Sequence, residues 1–233
     1  NNTFITISRD TDKNIKLQLP KQLHKNIHLL HNAINLETFN NKKRNKLQKE
    51  ERLNLISVGT LRPIKNHIFQ IYVLKKIIEN GIDCQLYLIG DGSERSRLEE
   101  LISELNLKEK VFITGYIENV KEYLDHSDIY IHTAYHEGLS LTTIEALASG
   151  LPVVCLDAYG NRDLIENGEN GFLLAGNTTP KEFASKIICL YNAPDRYEKM
   201  SENANRMSKQ YDIRAYVQKL LGIYINNNNK FGQ

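Results

Sequence analysis

Short apolar segments alternate with amphipathic segments along most of this chain, and this alternation restricts the possible folds more than any other feature. Each apolar segment has the length of one buried strand, whereas each amphipathic segment has the period of a helix. The predicted strands are residues 53–58, 84–89, 110–114, 129–133, 152–156 and 171–174. Such an alternation forms parallel β-α-β units with right-handed crossovers. It therefore predicts an α/β fold in which a parallel sheet carries helices on both faces.

The predicted helices fall into two groups. Residues 67–79, 94–105, 120–126, 141–149 and 162–166 lie between strands, whereas 180–191, 196–210 and 212–225 form a helical C-terminal extension. The asparagine run that follows predicts a disordered tail over residues 226–233. Open parallel sheets bind ligands beyond the carboxyl ends of their strands. Candidate site residues are therefore expected in the loops that follow strands.

The composition is that of a soluble globular protein with one α/β domain. Of the 233 residues, 41% are apolar and 25% are charged. No apolar run approaches the length of about 20 residues that crosses a membrane. Cys84, Cys155 and Cys189 lie in apolar surroundings at spacings that match no zinc pattern, and their odd number argues against a disulfide framework. We therefore expect three reduced core thiols in a cytoplasmic protein.

Positive charge is concentrated at the N-terminus. Residues 1–52 contain 11 Lys or Arg against 5 Asp or Glu, whereas the remainder contains 19 against 23. The basic run 42–46, followed by Lys49, has two possible interpretations: a contact with an anionic membrane or acceptor, or a solvated linker. The run has no aromatic interleaving and no helical period, which favours the linker. Nucleic-acid binding is not expected, because the globular part is acidic.

The segment 133–156 is where the sequence predicts chemistry. It contains Glu137 and Glu145 with seven residues between them, around a glycine-containing turn that opens the helix 141–149. Gly150 ends this helix, so Glu137 lies just outside its N-terminus and Glu145 about one turn inside. Helix N-termini bind anions. A phosphate at the helix start, with carboxylates beside it for neutral hydroxyls, is an arrangement that suits a nucleotide sugar.

Each glutamate also has a purely structural interpretation. Thr142 and Glu145 match the T-x-x-E pattern of a capping box, in which the glutamate only closes the first turn. Glu137 lies beside a glycine in a loop and has no comparable structural use, except as a solvated loop carboxylate. His132 and His136 are four residues apart, but no HExxH pattern accompanies them, so no metal site is expected.

Several motifs occur together in the order of a known family. The segment around Glu137 and Glu145 resembles the Glu-x7-Glu signature of the retaining glycosyltransferases of family 4, which is followed by a small-residue helix and Gly-x-Pro. The other matching segments are His31 to Asn35 with Phe39, Val58 to Asn66, Ile89 to Gly92, and Gly115 with Tyr116. The resemblance covers roughly residues 8–211. It implies the two-domain GT-B fold, of which this chain is similar to the C-terminal, Rossmann-like half that binds the donor.

The resemblance also implies a division of the chain. Residues 1–46 are expected to be the end of the N-terminal domain and the linker, and residues 47–225 the domain that binds the nucleotide sugar. The absence of an initiator Met is expected for a piece of a longer enzyme whose other half is an ordinary domain in size. In this family the final helix often crosses back to the N-terminal domain.

The same resemblance suggests roles for individual residues. It implies that Glu137 and Lys65 are the catalytic residues, and that Glu145 accepts hydrogen bonds from the ribose. The donor-binding positions that it implies are Thr60, Arg62, Gly90, Gly92, Tyr116, Ile117, Val120, His136, Gly138, Leu139, Ser140, Leu141 and Glu145. The family has an arginine where this chain has Thr60, so Arg62 is expected to supply the charge for the diphosphate from a different backbone position; the alternative is that Arg62 faces solvent. Tyr116 is equally compatible with a place in the core.

The implied activity is retaining transfer of a sugar from a nucleotide donor linked to UDP, GDP or ADP. The implied acceptor is a glycan or a lipid-linked sugar of surface polysaccharide biosynthesis, bound mainly by the N-terminal half. Neither a metal nor another cofactor is expected, and the full-length protein is placed in the cytoplasm with a possible peripheral membrane contact. Two alternatives stay open: a sugar-nucleotide epimerase of the same fold, and a non-catalytic nucleotide-binding module.

Overall fold

The structure is a computed structural model that describes residues 3–39, 47 and 51–228. Its centre is a sheet of six parallel strands, numbered here in chain order. Across the sheet they are β5 (Val111–Gly115), β4 (Cys84–Ile89), β3 (Leu53–Val58), β6 (Ile129–His132), β7 (Val153–Leu156) and β8 (Gly171–Leu174). The chain builds outward from β3 on one side and then returns to β6 on the other. The strand order therefore reverses between β3 and β6, which is where open α/β sheets bind ligands.

The alternation of side chains along the strands divides the core into two layers. In β3, Leu53 and Leu55 point into one cluster and Ile56 into the other, as expected for a period of two. The first cluster is covered by α3 (His67–Glu79), α4 (Arg95–Glu104) and α8 (Pro180–Tyr191). The second is covered by α5 (Lys121–Asp125), α6 (Leu141–Ala148) and α7 (Asn161–Leu164), while α9 (Pro194–Ser208) contributes to both. The predicted parallel sheet with helices on both faces is confirmed.

Element boundaries agree with the sequence prediction to within two residues, except at the C-terminal end of the last helix. The bounds of β3, β4, β8, α3 and α8 are the predicted ones. The largest shift at a helix start is in α9, which begins at Pro194 instead of residue 196 because proline is pre-organised for the first helical position.

Residues 3–39 contain elements that the sequence did not predict. Two three-residue strands, β1 (Phe4–Thr6) and β2 (Ile27–Leu29), pair in parallel, and α1 (Arg9–Gln18) connects them. A short helix, α2 (Leu36–Phe39), follows. Three-residue strands are too short to show a period, so the pattern carried no signal for them. The division at residue 47 stays a prediction, and the basic run 42–46 with Lys49 lies outside the described residues.

The last helix, α10, spans Ile213–Asn228. The prediction of a disordered tail is therefore wrong for residues 226–228, and residues 229–233 lie outside the described part of the chain. Asparagine is a poor helix former, but adding residues to an existing helix is far easier than starting one.

The three cysteines are free thiols, and two of them lie in the core as predicted. Cys189 is exposed, so the prediction of a third core thiol is wrong. Its neighbours Ile187 and Leu190 face the core from α8, which leaves Cys189 on the outer side of the helix beside Arg196, whose Nη1 lies 3.7 Å from Sγ. None of the helices in the described residues is both long and apolar enough to cross a membrane.

Candidate functional site

Lys65 and Glu137 meet at the point where the strand order reverses. Lys65 ends the 3-10 turn Pro63–Lys65 that follows β3, and Glu137 lies in the loop that follows β6. The Lys65 Nζ donates to Glu137 Oε2 at 2.5 Å, and the two side chains are only 24% and 18% exposed. Two residues that are 72 positions apart in sequence thus form one half-buried ion pair at the carboxyl edge of the sheet.

Glu137 is held by further contacts. His132 Nε2 lies 3.4 Å from Glu137 Oε2, and the Gly138 N–H donates to Oε1 at 3.3 Å. Burial on its own raises the pKa of Glu137, but the contacts with His132 and Lys65 outweigh it and lower the pKa to about 2. Glu137 is therefore a carboxylate throughout the physiological range.

The helix α6 begins directly after this loop. Its N-cap is Ser140, whose Oγ accepts a hydrogen bond from the Thr143 N–H at 3.2 Å. The capping-box interpretation of Glu145 is therefore wrong, because the cap lies two residues before Thr142. The N–H groups of Leu141 and Thr142 have no acceptor within the helix, as at any helix start. They lie at the start of the helix that follows the Glu137 loop, where an anion is favourable.

Glu145 lies one turn inside α6 and is half-buried. Its carboxylate has no hydrogen bond or ion pair within the described part of the chain. Burial without a compensating partner raises the pKa of Glu145 to about 7. The hydroxyl of the neighbouring Tyr130 forms a hydrogen bond with Thr142 Oγ1 at 2.9 Å and not with Glu145. The Glu145 carboxylate thus has hydrogen-bonding capacity that none of the described residues uses.

Three glycine-containing loops lie side by side at the ends of β3, β4 and β5. The Gly59 N–H donates to Ile89 O, and the Gly90 N–H donates to Gly115 O, both at 2.9 Å. A Cβ at Gly90 would lie 2.0 Å from Gly59 O, and its φ of +142° is open only to glycine. Gly92 packs equally closely on the backbone of Leu61. The close packing of the three loops therefore requires glycine at positions 90 and 92.

The residues after β5 form a partly open surface beside these loops. Tyr116 is 82% exposed, so its alternative place in the core is excluded. Ile117 and Val120 are partly buried and pack against the second core cluster. An exposed aromatic ring with apolar neighbours is a surface on which a planar base can stack.

Arg62 is not brought to the Lys65–Glu137 pair. It lines a separate pocket of about 230 Å³ between the starts of α3 and α4, together with Pro63, Asn66, His67, Ile68, Glu94, Arg97, Leu98 and Tyr135. Thr60 is exposed at the end of β3. Arg62 precedes the 3-10 turn and Lys65 ends it, and the pocket that Arg62 lines includes neither Lys65 nor Glu137.

The remaining predicted residues lie in or beside the Glu137 loop. His136 is exposed and stacks edge-on with Tyr159 at 5.9 Å, Leu139 is buried and Leu141 is exposed. Residues of the N-terminal segment 3–39 also contact this loop, and the sequence did not predict these contacts. Asn32 Nδ2 donates to Leu139 O at 3.0 Å, and a Cβ at Gly138 would lie 2.9 Å from Ile7 Cδ1.

A buried polar network beneath Lys65 was also missed. Gln70 Nε2 donates to Ser57 Oγ at 3.0 Å and to Thr133 Oγ1 at 2.9 Å. The Thr133 hydroxyl in turn reaches the carbonyls of Lys65 and Asn66 at 3.1 Å. The network ties the loop after β3 to the end of β6 and so fixes the backbone that carries Lys65. Its polar residue types at buried strand ends were the available signal.

No group of three or more His, Cys, Asp or Glu side chains that could hold a metal ion occurs in residues 3–39, 47 and 51–228. The candidate site thus consists of the Lys65 cation, the carboxylates of Glu137 and Glu145 with pKa values shifted in opposite directions, the start of α6 and the exposed ring of Tyr116.

Comparison with known proteins identifies the family. Residues 39–207 match the profile of Glycosyl transferases group 1. The chain belongs to this family. The signature recognised around Glu137 and Glu145 lies inside the matched region.

Two relatives and one solved structure illustrate the similarity. An uncharacterised glycosyltransferase of Haemophilus influenzae is 33% identical over 77% of this chain and 51% of its own length. The N-acetylgalactosamine-N,N'-diacetylbacillosaminyl-diphospho-undecaprenol 4-alpha-N-acetylgalactosaminyltransferase of Campylobacter jejuni is 33% identical over 81% of this chain and 50% of its own length. The chain therefore spans about half the length of these relatives.

The fold has close counterparts among solved structures. A variant of Staphylococcus aureus TarM, crystallised in complex with UDP, superposes with a TM-score of 0.84 at 24% identity over 95% of this chain and 43% of TarM. At that level of identity the similarity establishes the fold, which is the Rossmann-like half of a GT-B glycosyltransferase.

Proposed function

We propose that this chain is the donor-binding half of a retaining glycosyltransferase. In the intact enzyme it would move a sugar from a nucleotide donor to a glycan or lipid-linked acceptor in surface polysaccharide biosynthesis. The observation that carries the proposal is the Lys65–Glu137 pair at the strand-order reversal, beside the start of α6. A cation, a fixed carboxylate and free N–H groups converge there, at the place where open α/β sheets bind nucleotides.

The donor diphosphate is assigned to the first turn of α6 and to Lys65. An ammonium group has three donors, so Lys65 can keep its bond to Glu137 and still reach a phosphate oxygen. The backbone N–H groups from Leu139 to Leu141 belong to the same turn, whereas that of Gly138 donates to Glu137. As the bond between the sugar and the diphosphate breaks, negative charge grows on the diphosphate, and these groups stabilise it.

The ribose and the base are assigned to the flanks of this diphosphate position. Glu145 has an unsatisfied carboxylate one turn into α6, which suits two ribose hydroxyls. The base is assigned to the surface formed by Tyr116, Ile117 and Val120, next to the loop at Gly90 and Gly92. Tyr116 follows β5, Lys65 follows β3 and Glu137 follows β6, so the proposed order of base, diphosphate and sugar runs along the strand order of the sheet.

Glu137 is assigned to the sugar. Its low pKa excludes it as a proton donor at neutral pH, because it carries no proton to give. A fixed carboxylate instead accepts hydrogen bonds from sugar hydroxyls and stabilises positive charge that develops at the anomeric carbon. Retention of the anomeric configuration is a property of the family that the chain resembles.

The partners of the whole protein follow from the same proposal. The C. jejuni relative is named for transfer to a diphospho-undecaprenol-linked sugar, which supports a lipid-linked acceptor held mainly by a preceding N-terminal domain. We place the protein in the cytoplasm, with the basic run 42–46 as a candidate for peripheral membrane contact. No metal or other cofactor is assigned, because Lys65 and the helix start supply the charge that a diphosphate needs.

The test is a calorimetric titration of the chain with UDP, GDP and ADP. We expect one of the three to bind in preference to the others, and we propose UDP because the TarM variant was crystallised with it. The chain alone is expected to bind without transferring sugar, since half a cleft does not position the acceptor. Failure of all three nucleotides to bind would overturn the proposal and favour a non-catalytic interaction module.

A further inference from the structure

A buried histidine contacts Glu137 from inside the domain. The imidazole of His132, at the end of β6, has a side chain that is only 4% exposed. Its Nε2 lies 3.4 Å from Glu137 Oε2 and has no closer polar partner in the described residues. Glu137 is therefore the group that can satisfy this buried nitrogen. A separation of 3.4 Å is at the long end for a hydrogen bond, and such contacts in empty sites often tighten when substrate binds.

The tautomer of His132 follows from its other nitrogen. Asn161, the first residue of α7, places its Nδ2 2.9 Å from Leu156 O and 3.2 Å from His132 Nδ1. The contact with a carbonyl fixes the orientation of the amide, because only Nδ2 can donate to Leu156 O. Since Nδ2 has no lone pair to offer, His132 Nδ1 must accept. The proton of the neutral imidazole is then on Nε2, where it points at Glu137.

The two oxygens of Glu137 consequently have different surroundings. Oε2 receives both Lys65 Nζ and the proton on His132 Nε2, whereas Oε1 receives only the Gly138 N–H at 3.3 Å. An oxygen that has two donors within the protein has little capacity left for a ligand. Oε1 keeps free lone pairs for a sugar hydroxyl.

We propose that His132 is a positioning residue that anchors Glu137 through Oε2, that Asn161 sets the tautomer needed for this contact, and that Oε1 is the oxygen that faces the donor sugar. The inference rests on the proposed function for its assignment of Glu137 to the sugar. The contact between His132 and Glu137 itself is independent of that function. The loop before Asn161 also packs closely against the Glu137 loop: a Cβ at Gly160 would lie only 2.2 Å from Gly138 O.

The tautomer is tested by NMR on the chain labelled with 15N in its histidines. The signals of His132 are assigned by their loss in His132→Gln. We expect Nδ1 to be unprotonated and Nε2 to carry the proton, and Asn161→Ala to weaken this preference. A proton on Nδ1 in the wild type would overturn the assignment. This experiment needs no nucleotide, so its result stands whether or not the proposed function holds.

The positioning effect is tested by kinetics of the full-length protein. His132→Leu should lower kcat/KM for the nucleotide sugar by about tenfold, which is within the range of coupling between two residues in contact. The affinity for free UDP should be unchanged. His132→Gln keeps a donor near the Nε2 position and should recover most of this loss. His31→Leu is the matched control, because it removes a partly buried imidazole that faces Asp163 instead.

A double-mutant cycle with Glu137→Ala separates positioning from a general structural effect. In the Glu137→Ala background, His132→Leu should change kcat/KM by less than about twofold, because the carboxylate that His132 positions is absent. A full tenfold loss in that background, or an equal loss of UDP affinity, would overturn the proposal. If the wild type binds no nucleotide at all, it is the proposed function that fails.

Discussion

Glu137 and Glu145 are the same residue type on either side of one helix start, yet their carboxylates are in opposite states. Glu137 lies in a loop where Lys65, His132 and the Gly138 N–H surround it, and its pKa falls to about 2. Glu145 lies on the flank of α6 without a partner in the described residues, and its pKa rises to about 7. Both are half-buried. The difference therefore comes from the partners and not from the depth.

This difference indicates how the site divides its work. A carboxylate that several donors of the protein already hold is fixed in place and always charged, which suits contact with a reacting centre. A carboxylate that is buried without partners carries an unfavourable desolvation free energy that a ligand can relieve by donating hydroxyl groups. Under the proposed function, Glu137 is therefore assigned to the reacting sugar and Glu145 to nucleotide binding. Each prediction below tests one side of this division.

The largest effect is expected for Glu137. In the full-length protein, Glu137→Gln should lower kcat by at least about 100-fold, the size typical of losing an electrostatic contact to a reacting centre. The affinity for free UDP should stay within about twofold, because UDP lacks the sugar. Steady-state kinetics and calorimetry on the same preparation measure the two quantities. The exposed Glu109, in the loop before β5, provides the control substitution Glu109→Gln, and equal losses of kcat and of UDP affinity in Glu137→Gln would contradict the assignment to the sugar.

The next effect is on nucleotide binding by Glu145. We expect Glu145→Gln to weaken UDP binding by about 1.5–3 kcal/mol, the value of hydrogen bonds to a charged acceptor. Thermal stability should not fall, because the substitution removes a buried carboxylate without partners and Ser140, not Glu145, caps the helix. Calorimetry and a melting curve measure both. A lower Tm with unchanged UDP affinity would contradict the assignment of Glu145 to the ribose.

The pKa of Glu145 predicts a pH dependence of the same binding event. With a pKa of about 7, the ionised fraction of Glu145 rises about tenfold between pH 6 and pH 8. The ionised form is the better acceptor, so affinity for UDP should increase with pH by up to about tenfold over this range. Because the terminal phosphate of UDP also titrates in this region, uridine is the ligand to compare. Uridine binding that is independent of pH in the wild type would contradict the prediction, and Glu145→Gln should show that flat profile.

The sequence predicted the two glutamates and the fold, but not the contacts that set their states. The alternation of strands and helices is a local signal, and so is the glycine turn before α6. The pair of Lys65 and Glu137 joins residues 72 positions apart, and that of His132 and Asn161 joins residues 29 apart. A single sequence carries the residue types of such contacts but not their distances.

Side-chain direction was the other quantity that the sequence did not carry. Arg62 was placed at the diphosphate because Thr60 occupies the position of the family arginine, and Arg62 is the nearest arginine in the same loop. The intervening 3-10 turn sends it into a separate pocket with Arg97 and Tyr135. Likewise, T-x-x-E at Thr142 satisfied the capping pattern, but the helix begins at Leu141, two residues before the start that a Thr142 cap would give, and Ser140 is its N-cap.

The smallest effect is therefore expected for Arg62. We expect Lys65→Ala to weaken UDP binding by about 1.5–3 kcal/mol, because it removes the half-buried cation beside the helix start. Arg62→Ala should cost less than about 1 kcal/mol, the usual size for an exposed charge, and should leave the preference for UDP over uridine nearly unchanged. Both affinities should be measured at two salt concentrations, since a long-range contribution from Arg62 would be screened by salt whereas a half-buried contact of Lys65 is screened less.

If Arg62→Ala abolished the preference for UDP over uridine, Arg62 would have to leave its pocket and replace the charge that Thr60 lacks. The division of the site would then include a second cation that moves when the donor binds.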